Sequence, residues 1–241
     1  IKNNGTTPRR KARRDVDIEA RTAFWTNTEN QKNRYFPLVA ASIGPYGAFL
    51  ADGSEYNGHY GLSVQELTEF HYPRMEILAD TKADLLAFET IPCLKEAEAI
   101  IRLMERFPQA VAMLSFSCKD GKHLSNGDLF SDGIKLTNSS DQIIAAGVNC
   151  TAPQFILPLL GSVEQLSRKP LLVYPNSGEQ WDAQRHCWLP GKGEKHWLES
   201  LELWYKAGAR LIGGCCRTNP GDIHHLRQQL RNFSSLSNPT I

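Results

Sequence analysis

Ile143-Ile-Ala-Ala-Gly-Val-Asn-Cys150 is a short, nearly unbroken apolar run that stops at an amide and a thiol. A run without alternation suits a strand covered on both faces, the environment of a parallel sheet flanked by helices. Five further runs have the same character: Pro37–Ile43, Ala83–Glu89, Ala110–Ser117, Pro170–Tyr174 and Ala209–Gly213. Helical patterns separate them. Ser63-Val-Gln-Glu66 is a capping box that opens a helix reaching Asp80. Leu94, Ala97, Ile101 and Met104 form an apolar stripe at helical spacing. The stretch from Glu194 to Ala207, with Trp197, Leu201 and Trp204, ends at Gly208, a usual left-handed terminator. Asn219-Pro220 sets a cap and a proline at the first position of a final helix to Phe233. Alternating strands and helices predict an α/β fold with a parallel sheet. A closed eight-stranded barrel and an open doubly wound sheet both satisfy this pattern.

The 241 residues are 41% hydrophobic and 22% charged, a soluble and globular balance. A formal net charge of +1 argues against nucleic acid or an anionic membrane as partner. No apolar run approaches the roughly 20 residues of a membrane helix. The basic run Arg9, Arg10, Lys11, Arg13, Arg14 reads as a solvated, mobile terminus over residues 1–14. The folded domain is expected over 15–234, with a tail at 235–241. The long polar stretches 118–140 and 176–193 are expected as loops beside the active site.

Six cysteines in a chain that needs no staples point to a reducing compartment, with the cytoplasm as the expected location. Cys150 closes one apolar run, and Cys215-Cys216 close another, Leu211-Ile-Gly-Gly-Cys-Cys216. All three therefore fall just past the C-terminal end of a strand, where chemistry gathers in parallel α/β folds. Three thiolates from two strand ends suit a zinc ion with one open position. Such a complex carries net negative charge and activates water poorly. It can bind a substrate thiol and hold it as thiolate at neutral pH. The pattern favours thiol alkylation over hydrolysis. Adjacent cysteines can also be buried small residues or a redox pair, so a thiol-redox use of Cys215-Cys216 stands as an alternative. Cys93, Cys118 and Cys187 lack the strand-end placement and read as structural.

The stretches Gly-Val-Asn-Cys-Thr (147–151), Val-Tyr-Pro-Asn-Ser-Gly-Glu (173–179), Gly-Gly-Cys-Cys-Arg-Thr (213–218) and Phe-Glu-Thr-Ile-Pro (88–92) resemble the homocysteine S-methyltransferase family. Ser-Ile-Gly-Pro-Tyr-Gly-Ala-Phe-Leu-Ala-Asp-Gly-Ser-Glu-Tyr (42–56) resembles its S-methylmethionine-using branch. The resemblance runs from residue 35 to 230 and implies a TIM-type (β/α)₈ barrel, with zinc, one per chain, on Cys150, Cys215 and Cys216. The six strands would then be barrel strands three to eight. The family's first two strands, the first carrying Leu-Asp-Gly, have no counterpart in these residues. A non-catalytic, zinc-binding member of the family is therefore the second alternative.

The resemblance implies methyl transfer from a sulfonium donor to homocysteine, giving methionine. The expected donor is S-methylmethionine, with S-adenosylmethionine the other candidate. Glu89 is assigned to the homocysteine ammonium group, and Asn149 and Asn176 to substrate polar groups. Ser42 and the Gly44–Gly47 loop are assigned to the donor pocket. Tyr46 or Trp181 could face the sulfonium. The seven histidines show no metal-ligand spacing, and His71, on an apolar helix face, reads as a core residue.

Overall fold

The computed structural model describes residues 8–32, 34–182, 185, 187–189 and 195–236, with side chains described over 16–32, 34–179, 185, 187 and 198–231. Its strands are β1 Ala40–Ile43, β2 Leu85–Ile91, β3 Ala112–Phe116, β4 Ile143–Asn149, β5 Leu171–Tyr174, β6 Gln180–Asp182, β7 Cys187–Leu189 and β8 Ala209–Ile212. The helices are α1 Pro8–Thr26, α2 Thr28–Gln31, α3 Tyr46–Leu50, α4 Val64–Ala79, α5 Leu94–Met104, α6 Phe130–Thr137, α7 Ile156–Gly161, α8 Leu201–Lys206 and α9 Pro220–Leu236.

Six strands form one parallel sheet in the order β1-β2-β3-β4-β5-β8. These are the six apolar runs of the sequence. Among the described residues β1 pairs with β2 alone and β8 with β5 alone, so the sheet is open between them. Parallel pairing needs a crossover for each of the five steps, and α4, α5, α6, α7 and α8 supply them in turn. At the centre, Gly147 of β4 faces Leu172 of β5. A Cβ on Gly147 would lie 1.9 Å from the Leu172 carbonyl oxygen, so the two backbones meet only because the side chain is missing.

Phe88, Leu114, Phe116, Val148 and Val173 of the strands pack with Met75, Ile100, Met104, Ile134, Leu159 and Trp204 of the helices in one core. The expected stripe of α5 faces this core through Ala97, Ile101 and Met104. The capping box at α4 forms on both sides: Ser63 accepts from the Glu66 backbone, and the Glu66 carboxylate accepts from the Ser63 backbone.

Three local expectations change. The stretch expected as a helix over 194–207 is a 3₁₀ segment, Lys195–Ser200, followed by α8. Both stretches expected as loops hold regular structure: α6 lies inside 118–140 and the hairpin β6–β7 inside 176–193. The basic run belongs to the first turns of α1, its side chains lying outside the described ones. Further along α1, Arg21 pairs with Asp84, whose Oδ2 also accepts from the Val39 backbone at 2.6 Å, tying α1 to the start of β1.

Candidate metal centre

Cys150, Cys215 and Cys216 come together at the C-terminal edge of the sheet, their sulfurs all within 4.8 Å of one another. Cys150 Sγ lies 3.5 Å from Cys216 Sγ, and Cys215 Sγ lies 3.9 Å from Cys216 Sγ. Zinc–sulfur bonds of about 2.3 Å in a tetrahedron set sulfurs about 3.8 Å apart. The spacing and the soft donor set both fit zinc. Cys150 is buried, while Cys215 and Cys216 are partly exposed. No disulfide links the described cysteines.

Backbone contacts explain the convergence. Cys150 N–H donates to the Tyr174 carbonyl at 3.1 Å, continuing the β4–β5 ladder one residue past β4. Cys215 N–H donates to Pro175 O at 2.8 Å, and Ser177 N–H donates to Cys216 O at 3.1 Å. The Arg217 guanidinium holds Glu179 at 2.7 Å. Residues 175–179 thus clasp the segment 215–217. Gly214 allows the turn, since a Cβ there would sit 2.5 Å from Thr218 Oγ1.

Backbone strain collects here. Thr90, Cys150 and Arg217 have φ of +64°, +47° and +67°, the left-handed region that side chains disfavour by about 1 kcal/mol or more. Asn149 holds one of them in place. Its Oδ1 accepts from Thr90 N–H at 2.7 Å and from Ser115 Oγ at 2.8 Å. Its Nδ2 donates to Thr90 Oγ1 at 2.9 Å and reaches Cys215 Sγ at 4.0 Å. Asn149 is 1% exposed, and its partners are all protein groups. It frames the site from within the wall, beside Cys215.

The protonation pattern of the sulfurs follows from their contacts. Hydrogen bonds from Cys150 and Cys215 hold the Cys216 thiol down to about 3. Cys150 is pushed well up by its bonds to Cys215 and Cys216 and by burial. For Cys215 the bond with Cys150 lowers the value, but Cys216 and burial outweigh it and push it up to about 11. One thiolate shared among three sulfurs is the metal-free state near neutral pH.

Glu89, at the end of β2, accepts from Ser42 Oγ and, at 3.2 Å, from the Tyr174 hydroxyl. Tyr174 also bonds Ser115, which bonds Asn149. Side chains from five strands thereby link Glu89 to the residue beside Cys150. Glu89 lies close enough for its charge to act against the Cys216 thiolate. Asn176 is 9% exposed; its Oδ1 accepts from Gly178 N–H at 2.8 Å, and its backbone N–H donates to Thr151 O.

The matching stretch of residues for the homocysteine S-methyltransferase family profile is 7–230. The chain belongs to the homocysteine S-methyltransferase family. It is 48% identical over 220 residues to homocysteine S-methyltransferase YbgG of Bacillus subtilis, covering 91% of this chain and 70% of that one. It is 44% identical over 220 residues to homocysteine S-methyltransferase 1 of Zea mays, covering 88% and 68%. The crystal structure of homocysteine methyltransferase MmuM from Escherichia coli in its metallated form superposes with a TM-score of 0.77 at 42% identity, over 90% of this chain and 68% of that chain. In this family member the six-stranded parallel sheet is part of a TIM barrel, which decides between the two architectures the sequence allowed.

The other candidate residues lie around this centre. Ser42 is bonded to Glu89, so it supports that carboxylate. The Tyr46 ring packs in an aromatic cluster with Tyr60 and Phe70. The Trp181 side chain lies outside the described residues. Sequence reading missed Tyr56, whose hydroxyl lies 3.4 Å from Cys150 Sγ, and Tyr174. Both stand in the quoted motifs, but neither motif says which way a ring points. His71 is the core residue expected, fully buried against Glu96 at 2.8 Å.

Proposed function

We propose that this chain transfers a methyl group from a sulfonium donor to the thiol of homocysteine, giving methionine. The observation that carries the reading is the convergence of the Cys150, Cys215 and Cys216 sulfurs within 4.8 Å. In this reading the three cysteines hold one zinc ion. Zinc there supplies a cation that keeps an incoming thiol deprotonated, and so nucleophilic, at neutral pH.

The chain's own residues do the rest. Glu89 takes the ammonium group of the amino acid, with Ser42 and Tyr174 fixing its carboxylate. Asn149 keeps Thr90 and Ser115 in register beside the cysteines. Asn176, next to the clasp, is the candidate for a polar contact with substrate. Cationic sulfonium and anionic thiolate both lose charge as the methyl moves, so exclusion of water favours the step. Holding both reactants in line supplies much of the remaining acceleration. S-methylmethionine is the preferred donor in this reading, supported by the 42–56 motif, with S-adenosylmethionine second. Free thiols throughout the described chain suit a reducing compartment, the cytoplasm. No described helix is long and apolar enough to cross a membrane.

The test combines metal analysis with turnover. One zinc per chain, lost in Cys215→Ser, together with methionine formation from homocysteine and S-methylmethionine, is the expected result. Zinc bound at full stoichiometry without methionine from either donor defeats the reading.

A further inference from the structure

A centre that methylates one thiol beside three cysteines faces a selectivity problem. A sulfonium donor strong enough to methylate the substrate can also methylate the protein. Attack by Cys150 would form an S–CH₃ bond from the thiolate lone pair and expel the donor's thioether. A neutral thioether would then replace one anionic ligand. A hydrogen bond to a ligand sulfur engages that lone pair and lowers its reactivity.

Tyr56 is built to supply such a bond. Its hydroxyl lies 3.4 Å from Cys150 Sγ, across 94 residues of sequence. A metal-bound thiolate has no proton to give, so the phenol is the donor. The ring arrives there through a specific turn. Ser54–Tyr56 is a 3₁₀ turn whose backbone lies directly on α3. A Cβ on Gly47 would fall 2.3 Å from Glu55 N and 2.5 Å from Ser54 C, so only glycine permits this approach. Ala51 and Gly53, both left-handed at φ +57° and +87°, fold the intervening chain back. Gly58 N–H to Ser54 O at 2.8 Å and Ser117 Oγ to Glu55 O at 3.2 Å fasten the turn. The sulfur of Cys216 is bonded differently: its partners are the two other cysteines, whose protons leave when a metal binds.

We infer that Tyr56 is a positioning residue that protects Cys150 from methylation by the donor, making the incoming thiol and not this ligand the preferred nucleophile. This rests on the zinc reading, and the experiment separates the two. Zinc-loaded wild type and Tyr56→Phe, each first shown to carry one zinc, are treated with methyl iodide, and methylation of every cysteine is followed by peptide mass mapping. The expected result is a rise of about tenfold in the rate at Cys150 in Tyr56→Phe, with Cys216 unchanged. The buried Cys93 and Cys118 report unfolding, since a loosened fold exposes them as well. Gly47→Ala, which displaces the turn and leaves the phenol intact, should give the same selective rise. Equal rates at Cys150 in wild type and Tyr56→Phe overturn the inference while leaving the zinc reading in place. Failure to bind zinc at all counts against both.

Discussion

Glu89 and Tyr174, 85 residues apart, meet at 3.2 Å between carboxylate Oε2 and hydroxyl. The contact joins the ends of β2 and β5, two strands that are not neighbours in the sheet. It reaches across β3 and β4, and its partner bonds run on through Ser115 to Asn149. The carboxylate proposed to receive the substrate ammonium is thereby aimed by a ring whose backbone carbonyl also holds Cys150.

Removal of the hydroxyl in Tyr174→Phe should therefore loosen Glu89 and leave the metal alone. One hydrogen bond to a charged group is worth roughly 1.5–3 kcal/mol, so the KM for homocysteine should rise by about tenfold or more. Zinc content should stay at one per chain. Steady-state kinetics with metal analysis checks this. A fall in kcat with an unchanged KM would place Tyr174 elsewhere in the reaction.

How much of this was legible in advance depends on how local the cause is. The six strands were readable because each is a continuous apolar run buried on both faces. The three cysteines were readable because two such runs end in thiols at the same sheet edge. The hairpin Gln180–Asp182 with Cys187–Leu189 was not, because three-residue strands carry no periodicity. Tyr56 and Tyr174 were hidden for another reason. Their contacts rest on sheet register and on the close backbone approach at Gly47, and both bring together residues far apart in sequence. Asn149 was legible at a strand end, while the direction of its side chain is set by hydrogen bonds to Thr90 of β2 and Ser115 of β3, which no local pattern shows.

Gly147→Ala tests the sheet itself. The added methyl would stand 1.9 Å from Leu172 O, in the centre of a parallel pair, where neither backbone has room to move. The expected cost exceeds about 3 kcal/mol, in the range of severe core disruption. Thermal unfolding should show a large fall in Tm or loss of soluble protein. Gly161→Ala, with open space around its Cβ, is the matched control and should behave as wild type.

His71 predicts the acid limit of stability. Arg74 donates to His71 Nδ1 at 3.0 Å, and arginine has only protons to give, so Nδ1 is the acceptor. The proton then sits on Nε2 and is donated to Glu96 Oε1 at 2.8 Å. The imidazole is neutral in the fold, and burial, above all, holds its pKa below 6.5. In the unfolded chain the ring regains its ordinary value near 6.5. Between the folded and unfolded values the unfolded state binds more protons, so stability rises with pH. The contribution is complete above about pH 6.5 and is lost as pH falls below it, by up to about 1.4 kcal/mol per pH unit. Denaturant titrations from pH 7 down to 5 should show this slope in wild type. His71→Gln keeps a donor toward Glu96 and removes the titration, so its curve should be flatter over the same window.

Metal loading should be strongly pH-dependent, with a sign fixed by the sulfurs. Before zinc enters, Cys216 is already a thiolate, held down to about 3 by its two neighbours. Cys215, pushed up to about 11, and Cys150, raised further by its bonds and burial, each still carry a proton. Zinc binds thiolates, so loading must expel about two protons near neutral pH. By linkage the affinity rises with pH, about a hundredfold per unit, until Cys215 begins to ionise. Calorimetric titration of zinc into metal-free protein in two buffers of different ionisation enthalpy measures the release directly. In Cys150→Ser the count should fall to about one, since a serine hydroxyl keeps its proton. A release near three in wild type would mean that Cys216 is protonated before the metal arrives, and that the three sulfurs do not share a thiolate.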